Sequence, residues 1–167
     1  MKRTIGAILF FVLMMCCVGI SCKKPITEKD EVFIYTLEKD GSYSIGMWNT
    51  DCDIEIVEIP LSFKGKYVTS ITERGFIDCK NIKRVVLTSK IVRIAAGAFW
   101  GCDNLEEIYI PLSCKGLGNG IFHRCINLRL IVYEGSKKQW GNILKGSSWE
   151  GDCGNYTIEC NDGRIRK

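Results

Sequence analysis

Ten cysteines and a single histidine are the residues of this 167-residue chain that could do chemistry. With His123 as the one imidazole, mechanisms and zinc sites that need two histidines are excluded. No two cysteines have the C-x-x-C spacing, so a four-cysteine zinc site is a poor interpretation as well. A cysteine hydrolase would need a thiolate beside His123 and a third group to orient the ring. That hydrolase stays as a lesser alternative, and we otherwise predict no catalytic residue, no metal and no cofactor.

The start of the chain has the pattern of an export signal. Two basic residues precede an uncharged apolar run over residues 5–18, which is shorter than the span of about 20 residues that crosses a bilayer. Small residues then lead into Cys22, and this stretch resembles the bacterial lipobox, although Gly19 stands where that family prefers leucine. The resemblance implies that residues 1–21 are a signal peptide of the lipoprotein type and that Cys22 becomes the lipidated N-terminus. A simply secreted protein and an uncleaved N-terminal anchor are the alternatives, and all three place the rest of the chain outside the cytoplasm.

A period of 23 residues runs through the middle of the chain. Five columns of residues keep this spacing through three successive copies, and one column is phenylalanine while another is cysteine. A period of this length indicates a solenoid, in which each unit buries its apolar face by stacking on the next. We predict that both columns point into the core, with the cysteines as small buried hydrophobes. The predicted repeat core is Phe76, Phe99 and Phe122 together with Cys79, Cys102 and Cys125.

The repeat resembles a known family. Residues 94–111 (IAAGAFWGCDNLEEIYIP) match every position of the I-x-x-x-A-F-x-x-C-x-x-L-x-x-I-x-I-P core of the BspA-like leucine-rich repeats. The resemblance implies a leucine-rich-repeat solenoid that is mainly β with short turns or 3-10 segments. It would be a short right-handed stack of 23-residue repeats, with the whole domain at residues 33–167. The predicted segments are a linker at 22–32, an N-terminal cap with the first strands at 33–65, three repeats at 66–134 and a C-terminal cap at 135–167.

Several smaller features complete the predicted domain. Alternating apolar and polar residues around Asp40 and Gly41 predict a β-hairpin in the N-terminal cap. Cys153 and Cys160 flank a predicted hairpin in the C-terminal cap and could form a disulfide in an exported chain. His123 occupies a repeat column whose chemistry changes freely between copies, which predicts an exposed turn position.

Charge says little about the partner. The formal net charge is +4, which is too mild to indicate nucleic acid. Basic residues are nevertheless concentrated in residues 66–133, where they form either a patch for an acidic partner or an ordinary solvated face. Half of the basic residues of that region are Lys80, Lys83, Arg84, Lys90 and Arg93.

Stacked strands align their outward residues in columns on one face of a solenoid, and that face is the candidate binding surface. One of these columns is apolar in all three copies, and with Trp100 on a nearby turn it predicts a hot spot for a protein partner. The alternative is that this face packs against the chain's own cap or loop. The columns are Lys83, Glu106 and Arg129, then Arg84, Glu107 and Leu130, then the apolar column of Val86, Tyr109 and Val132.

The family resemblance implies a function as well as a fold. It implies a non-enzymatic, lipid-anchored protein of the cell envelope or cell surface that binds proteins of a host or of neighbouring cells, as in adhesion. A structural or assembly component of the envelope is the alternative, and its partner would lie in the same membrane.

The lipobox resemblance generates a direct prediction. Replacing Cys22 by alanine removes the thiol that would carry the lipid, so we expect cells that express the variant to incorporate no labelled palmitate into it. Cys16→Ala and Cys17→Ala, which change thiols inside the apolar run, should leave the label in place. Label that persists in the Cys22→Ala protein would show that the lipobox interpretation is wrong.

Overall fold

The computed structural model describes residues 26–51 and 53–167, and nearly all of its regular structure is β. Cys22 and the predicted signal peptide lie outside the described residues. The elements, in chain order, are β1 (Ile26–Lys29), β2 (Phe33–Leu37), β3 (Tyr43–Met47), β4 (Ile56–Glu58), β5 (Ser62–Phe63), β6 (Lys66–Ile71), β7 (Arg84–Val86), β8 (Arg93–Ile94), β9 (Glu107–Ile110), β10 (Gly116–Leu117), β11 (Leu130–Tyr133), α1 (Lys137–Gly141), β12 (Leu144–Lys145), β13 (Thr157–Cys160) and β14 (Gly163–Arg166).

The strands form two sheets, and the chain passes back and forth between them. The eight-stranded sheet has the order β1-β2-β3-β6-β8-β10-β12, with β5 on β6, and the six-stranded sheet has the order β14-β13-β11-β9-β7-β4. One full circuit through both sheets is one turn of a β-solenoid, and the chain makes about five turns. The predicted fold class is therefore confirmed.

The 23-residue period is the length of one circuit. In the six-stranded sheet, Val85 pairs in parallel with Ile108, and Ile108 with Ile131. The stack continues beyond these three copies, because β4 pairs with β7 and β13 pairs with β11 in the same parallel sense. Parts of the segments that we predicted as caps are thus further turns of the solenoid. The 23-residue period does not reveal these two outer turns. Paired residues are 28 positions apart between β4 and β7, and 27 positions apart between β11 and β13.

Five aromatic side chains stack along the interior, and we call them the aromatic spine. Its ring centroids are 6.4 Å apart from Phe33 to Phe76, 5.3 Å from Phe76 to Phe99, 6.0 Å from Phe99 to Phe122 and 6.1 Å from Phe122 to Trp149. The three phenylalanines of the repeat have no exposed surface. Rings at these separations gain contact energy beyond the area that they bury, so the spine ties each turn to its neighbours.

The repeat cysteines lie beside the spine and are buried. The Sγ of Cys102 donates a hydrogen bond to the carbonyl of Phe76 at 3.0 Å, and the Sγ of Cys125 donates to the carbonyl of Phe99 at the same distance. Each of these thiols therefore fills a small core position and also binds the backbone of the preceding turn. A serine would carry a more polar group into the same apolar space.

The tight turns between the sheets need left-handed backbone. Gly97 and Gly101 adopt φ of +59° and +72°, a region that costs residues with a Cβ about 1–2 kcal/mol. The neighbouring turns place Arg74, Asp78 and Arg124 in the same conformation. Stacking forces these residues into that conformation, because the hydrogen bonds of each turn are made to the next turn.

The N-terminal cap begins earlier than predicted. β2 and β3 form the hairpin expected around Asp40 and Gly41, but β1 adds a third antiparallel strand to it. The prediction that residues 22–32 are a linker is therefore wrong from Ile26 onward. The Asp30 carboxylate accepts hydrogen bonds from the backbone N–H groups of Val32 and Phe33, at 2.8 and 2.6 Å, and so fixes the turn between β1 and β2.

The C-terminal cap closes the other end of the core. Ser136 and Gln139 form a capping box on α1, and the helix buries Trp140 against Trp149 of the spine, with ring centroids 5.8 Å apart. The possible disulfide between Cys153 and Cys160 does not form in the structure, which has both as free thiols. The two cysteines also do not flank a hairpin as predicted, because Cys160 ends β13 and the hairpin lies beyond it, between β13 and β14.

The aromatic spine predicts where the fold is most sensitive. Phe99→Ala removes a fully buried ring between two others, so we expect the free energy of unfolding in urea to fall by about 3–5 kcal/mol. Phe33→Ala is the matched control, since Phe33 is half-buried at the end of the spine and should cost less. An equal loss of unfolding free energy in the two variants would contradict the claim that the stability depends on the stacked rings of the spine.

Candidate binding surface

The outward face of the six-stranded sheet carries one continuous column of side chains. Backbone pairing places Glu58 beside Val86, Val86 beside Tyr109, Tyr109 beside Val132 and Val132 beside Glu159. We call these five residues the central column. Its middle three are the apolar column of the sequence analysis, and the structure brings them side by side.

Strand alternation aims the central column outward. The residues just before Val86, Tyr109 and Val132 are fully buried, and side chains on a strand point to opposite faces in turn. The three side chains of the apolar column are half-buried. They belong neither to the core cluster nor to the partly buried residues that pack against it. Among the described residues, the apolar column is therefore not part of the hydrophobic core.

Charged residues next to the central column neutralise one another. Glu107 lies between two guanidinium groups, with its carboxylate oxygens 3.0 Å from Nη2 of Arg84 and 3.3 Å from Nη2 of Arg129. Its side chain is only 12% exposed, while the arginines are largely in solvent. Arg129 also binds Glu106 at 2.7 Å, and hydrogen bonding to that carboxylate raises the pKa of the arginine.

The predicted basic patch is likewise compensated by nearby carboxylates. Lys80 binds Asp103 at 2.8 Å and Lys83 binds Glu55 at 2.7 Å, and each hydrogen-bonded carboxylate raises the pKa of its lysine. With Arg84 held by Glu107, three of the five basic residues are paired. Lys90 lies instead over the ring of Tyr67, with its Nζ 4.7 Å from the centroid. The pairing of these three residues favours a solvated face of mixed charge over a basic patch.

Trp100 does not lie on the sheet face. It stands on the turn between β8 and β9, where its ring packs against His123 with the centroids 4.1 Å apart. His123 is in consequence half-buried, with 27% of its side chain exposed, and not freely exposed as predicted. Its Nδ1 accepts a hydrogen bond from the backbone N–H of Asp152 at 3.4 Å. Both residues therefore stabilise the packing of one turn on the next.

The thiols have the properties of structural groups. Burial raises the pKa of Cys102 well above its ordinary value and raises the pKa of Cys114 to about 11. Burial also raises the pKa of Cys125, Cys153 and Cys160. Because the thiolate is the nucleophile, these thiols are poorly suited to the hydrolase chemistry that we kept as an alternative.

A shallow trough of about 520 Å³ crosses the eight-stranded sheet. Its lining includes Arg93, Gly116, Gly118 and Lys145. Lys145 donates hydrogen bonds to the carbonyls of residues 140 and 143, so its ammonium group stabilises the C-terminal cap. A Cβ on Gly118 would collide with the backbone of Ala96, so this glycine allows two turns to approach closely. Gly118 thus serves the stacking of neighbouring turns.

The ends of the central column were missed by the sequence reasoning. Glu58 and Glu159 stand 28 and 27 residues from their partners Val86 and Val132, so a strict 23-residue step does not reach them. The sequence did contain a signal for these two strands. In part of residues 56–58 and of residues 157–160, apolar residues alternate with polar or charged ones, as in a half-buried strand.

With this geometry in place, the comparison with known proteins identifies the class. The family described as "BspA type Leucine rich repeat region (6 copies)" matches residues 49–144, more than half of the chain. The chain belongs to the BspA-type leucine-rich repeat family. Proteins of this family are in general non-enzymatic scaffolds for protein interaction.

Solved structures show the same fold. A leucine-rich repeat protein of T. pallidum has 24% identity and a TM-score of 0.57, over 66% of this chain and 55% of its own. One from Bacteroides ovatus has 21% identity and a TM-score of 0.62, over 80% and 37%. One from Bacteroides capillosus has 18% identity and a TM-score of 0.54, over 81% and 98%. The chain thus spans only about half or less of the first two relatives.

No match to a curated protein was found. Within the described part of the chain, no helix has the length and apolar character needed to cross a membrane.

The Arg84–Glu107–Arg129 cluster generates a stability prediction. Glu107→Gln removes the charge that two arginines share at a nearly buried carboxylate, so we expect the free energy of unfolding to fall by about 1–2 kcal/mol. Glu106→Gln, the matched control, changes a carboxylate that is 39% exposed and should cost less, because solvent screens its ion pair. Urea titrations of the two variants at low and high salt measure the difference. A larger loss in Glu106→Gln would contradict this account.

Proposed function

We propose that this protein is an exported, lipid-anchored binding module of the cell surface, which docks a protein partner on the six-stranded sheet. The observation that carries the proposal is the apolar column of Val86, Tyr109 and Val132, which lies on the outside of the sheet and does not pack on the core. Membership of a family of interaction scaffolds supports the same role. The proposed anchor is a lipid on Cys22, and its support is the lipobox resemblance.

The charge pairs beside the column support the choice of this face. Arg84 and Arg129 are already paired with Glu106 and Glu107, so a partner gains little by binding them and does not have to supply opposite charges of its own. The apolar column, by contrast, gains when water is excluded from it. Tyr109, in the middle of the column, is one of the residue types in which interaction hot spots are enriched.

Rigidity also favours this face. The outward side chains are attached to strands whose inward residues are locked in the core, so little conformational entropy is lost on binding. The proposed mode of action is adhesion, in which the solenoid presents one preformed surface to proteins of a host or of neighbouring cells. The support for adhesion is the analogy with the family.

A peptide selection tests the proposed face. We would select a random peptide library displayed on phage against the full chain, and then measure selected peptides against Tyr109→Asp and against Ile126→Asp. Ile126 is 62% exposed on a turn, so its variant makes the same kind of change away from the sheet. We expect peptides rich in apolar residues, with binding at least tenfold weaker for Tyr109→Asp and unchanged for Ile126→Asp.

A second variant guards against misfolding. Val86→Thr with Val132→Thr keeps β-branched side chains on both strands and should weaken the same peptides. If the selected peptides bind all of these variants as they bind the original chain, the sheet face is not the binding surface.

A further inference from the structure

The central column has nearly the same chemistry when it is followed in either direction. Across five neighbouring strands it is an acid, a valine, a tyrosine, a valine and an acid, with Tyr109 in the middle. A surface that matches itself after reversal is what a two-fold symmetric contact requires, because each patch must complement a copy of itself.

The two acids at the ends of the column differ in their surroundings. Glu159 is bound by Arg164 of β14, whose Nη2 lies 2.9 Å from the carboxylate. Arg164 remains 62% exposed and is hydrogen-bonded through Nε and Nη2, to that one oxygen. Glu58 is exposed and forms no ion pair with any described residue. The face therefore has a free carboxylate at one end and an accessible guanidinium at the other.

We propose that the partner docked on this face is a second copy of the same chain, in antiparallel two-fold order. This inference rests on the proposed function, since it names the occupant of the same surface. The symmetry axis runs along β9 through Tyr109, so that strand order is reversed between the copies. Val86 then packs on Val132 of the second copy, and the two Tyr109 rings meet at the axis.

Charge selects this order over the parallel one. In the antiparallel order Glu58 lies opposite Glu159 of the second copy, whose charge is already compensated by Arg164 on the neighbouring strand β14. In the parallel order Glu58 would face Glu58, and two unpaired carboxylates would repel each other. Glu107 meets its own counterpart at the axis, but in each copy Arg84 and Arg129 balance the charges of Glu106 and Glu107, so the contact is between clusters of no net charge.

The size of the face sets the strength of the contact. Six strands about 4.8 Å apart, with three or four residues each, cover roughly 300 Å² per copy, well below the 800 Å² or so of a standard interface. We therefore expect a weak dimer, with a Kd of about 0.1–1 mM, which forms where the local concentration is high.

Photo-crosslinking of the full chain in expressing cells tests this contact. With p-benzoylphenylalanine at position 132, we expect a crosslinked dimer whose link maps by mass spectrometry to β7 of the second copy. A link that maps to β11 would instead show the parallel order and overturn the proposal.

Charge reversal gives an independent test of the order. With the probe at position 109, E58R and R164E should each lower the dimer yield at least fivefold, and E58R combined with R164E in one chain should restore it. Glu73→Arg and Arg124→Glu reverse exposed charges away from the face and should change nothing. If the melting curve shows that R164E is unfolded, the effect of E58R on the dimer yield and the crosslink mapped from position 132 still distinguish the two orders. A dimer that is insensitive to E58R, or a folded double variant that stays monomeric, would overturn the proposal.

The outcomes also separate this inference from the proposed function. If no dimer forms but selected peptides still depend on Tyr109, the second copy is not the partner and the binding face stands. If neither the dimer nor the peptide dependence is found, both are wrong.

Discussion

Each turn of this molecule is held to the next by a buried aromatic ring that stacks on the ring of the neighbouring turn. Phe76, Phe99 and Phe122 have no exposed surface, and Phe33 and Trp149 make edge-to-face contacts with the two ends of their stack. A turn of this size cannot bury its own apolar side, so its stability depends on the neighbour. The stack therefore requires every central circuit to have the same length.

That requirement determines where the chain can carry extra residues. The β5 hairpin and helix α1 both follow a strand of the six-stranded sheet and precede a strand of the eight-stranded sheet, so both occupy the same corner of the solenoid. At that corner a longer connection leaves the spine undisturbed, because Phe76, Phe99, Phe122 and Trp149 lie on the connections that lead from the eight-stranded sheet to the six-stranded one. The binding face and the spine thus keep their register although the outer turns are longer.

The same constraint gives the outer surface its order. Once Val85, Ile108 and Ile131 are locked inside, the residues after them must lie outside in a straight column. Arginine and glutamate side chains from successive turns then meet at hydrogen-bond distance and neutralise one another. What remains for a partner is the apolar column, together with the unpaired Glu58 at one end and the exposed Arg164 at the other.

The sequence by itself determined the fold class, the inward columns and the apolar outward column, because a 23-residue circuit and strand alternation are local, repeated rules. Only the tertiary structure decided what meets across unequal connections or between neighbouring side chains. Glu58 and Glu159 join the central column through pairings 28 and 27 residues long, and Trp100 packs on His123 instead of extending the sheet face. Such contacts depend on the lengths of loops and on which long side chains reach one another, and a repeat period carries no information about either.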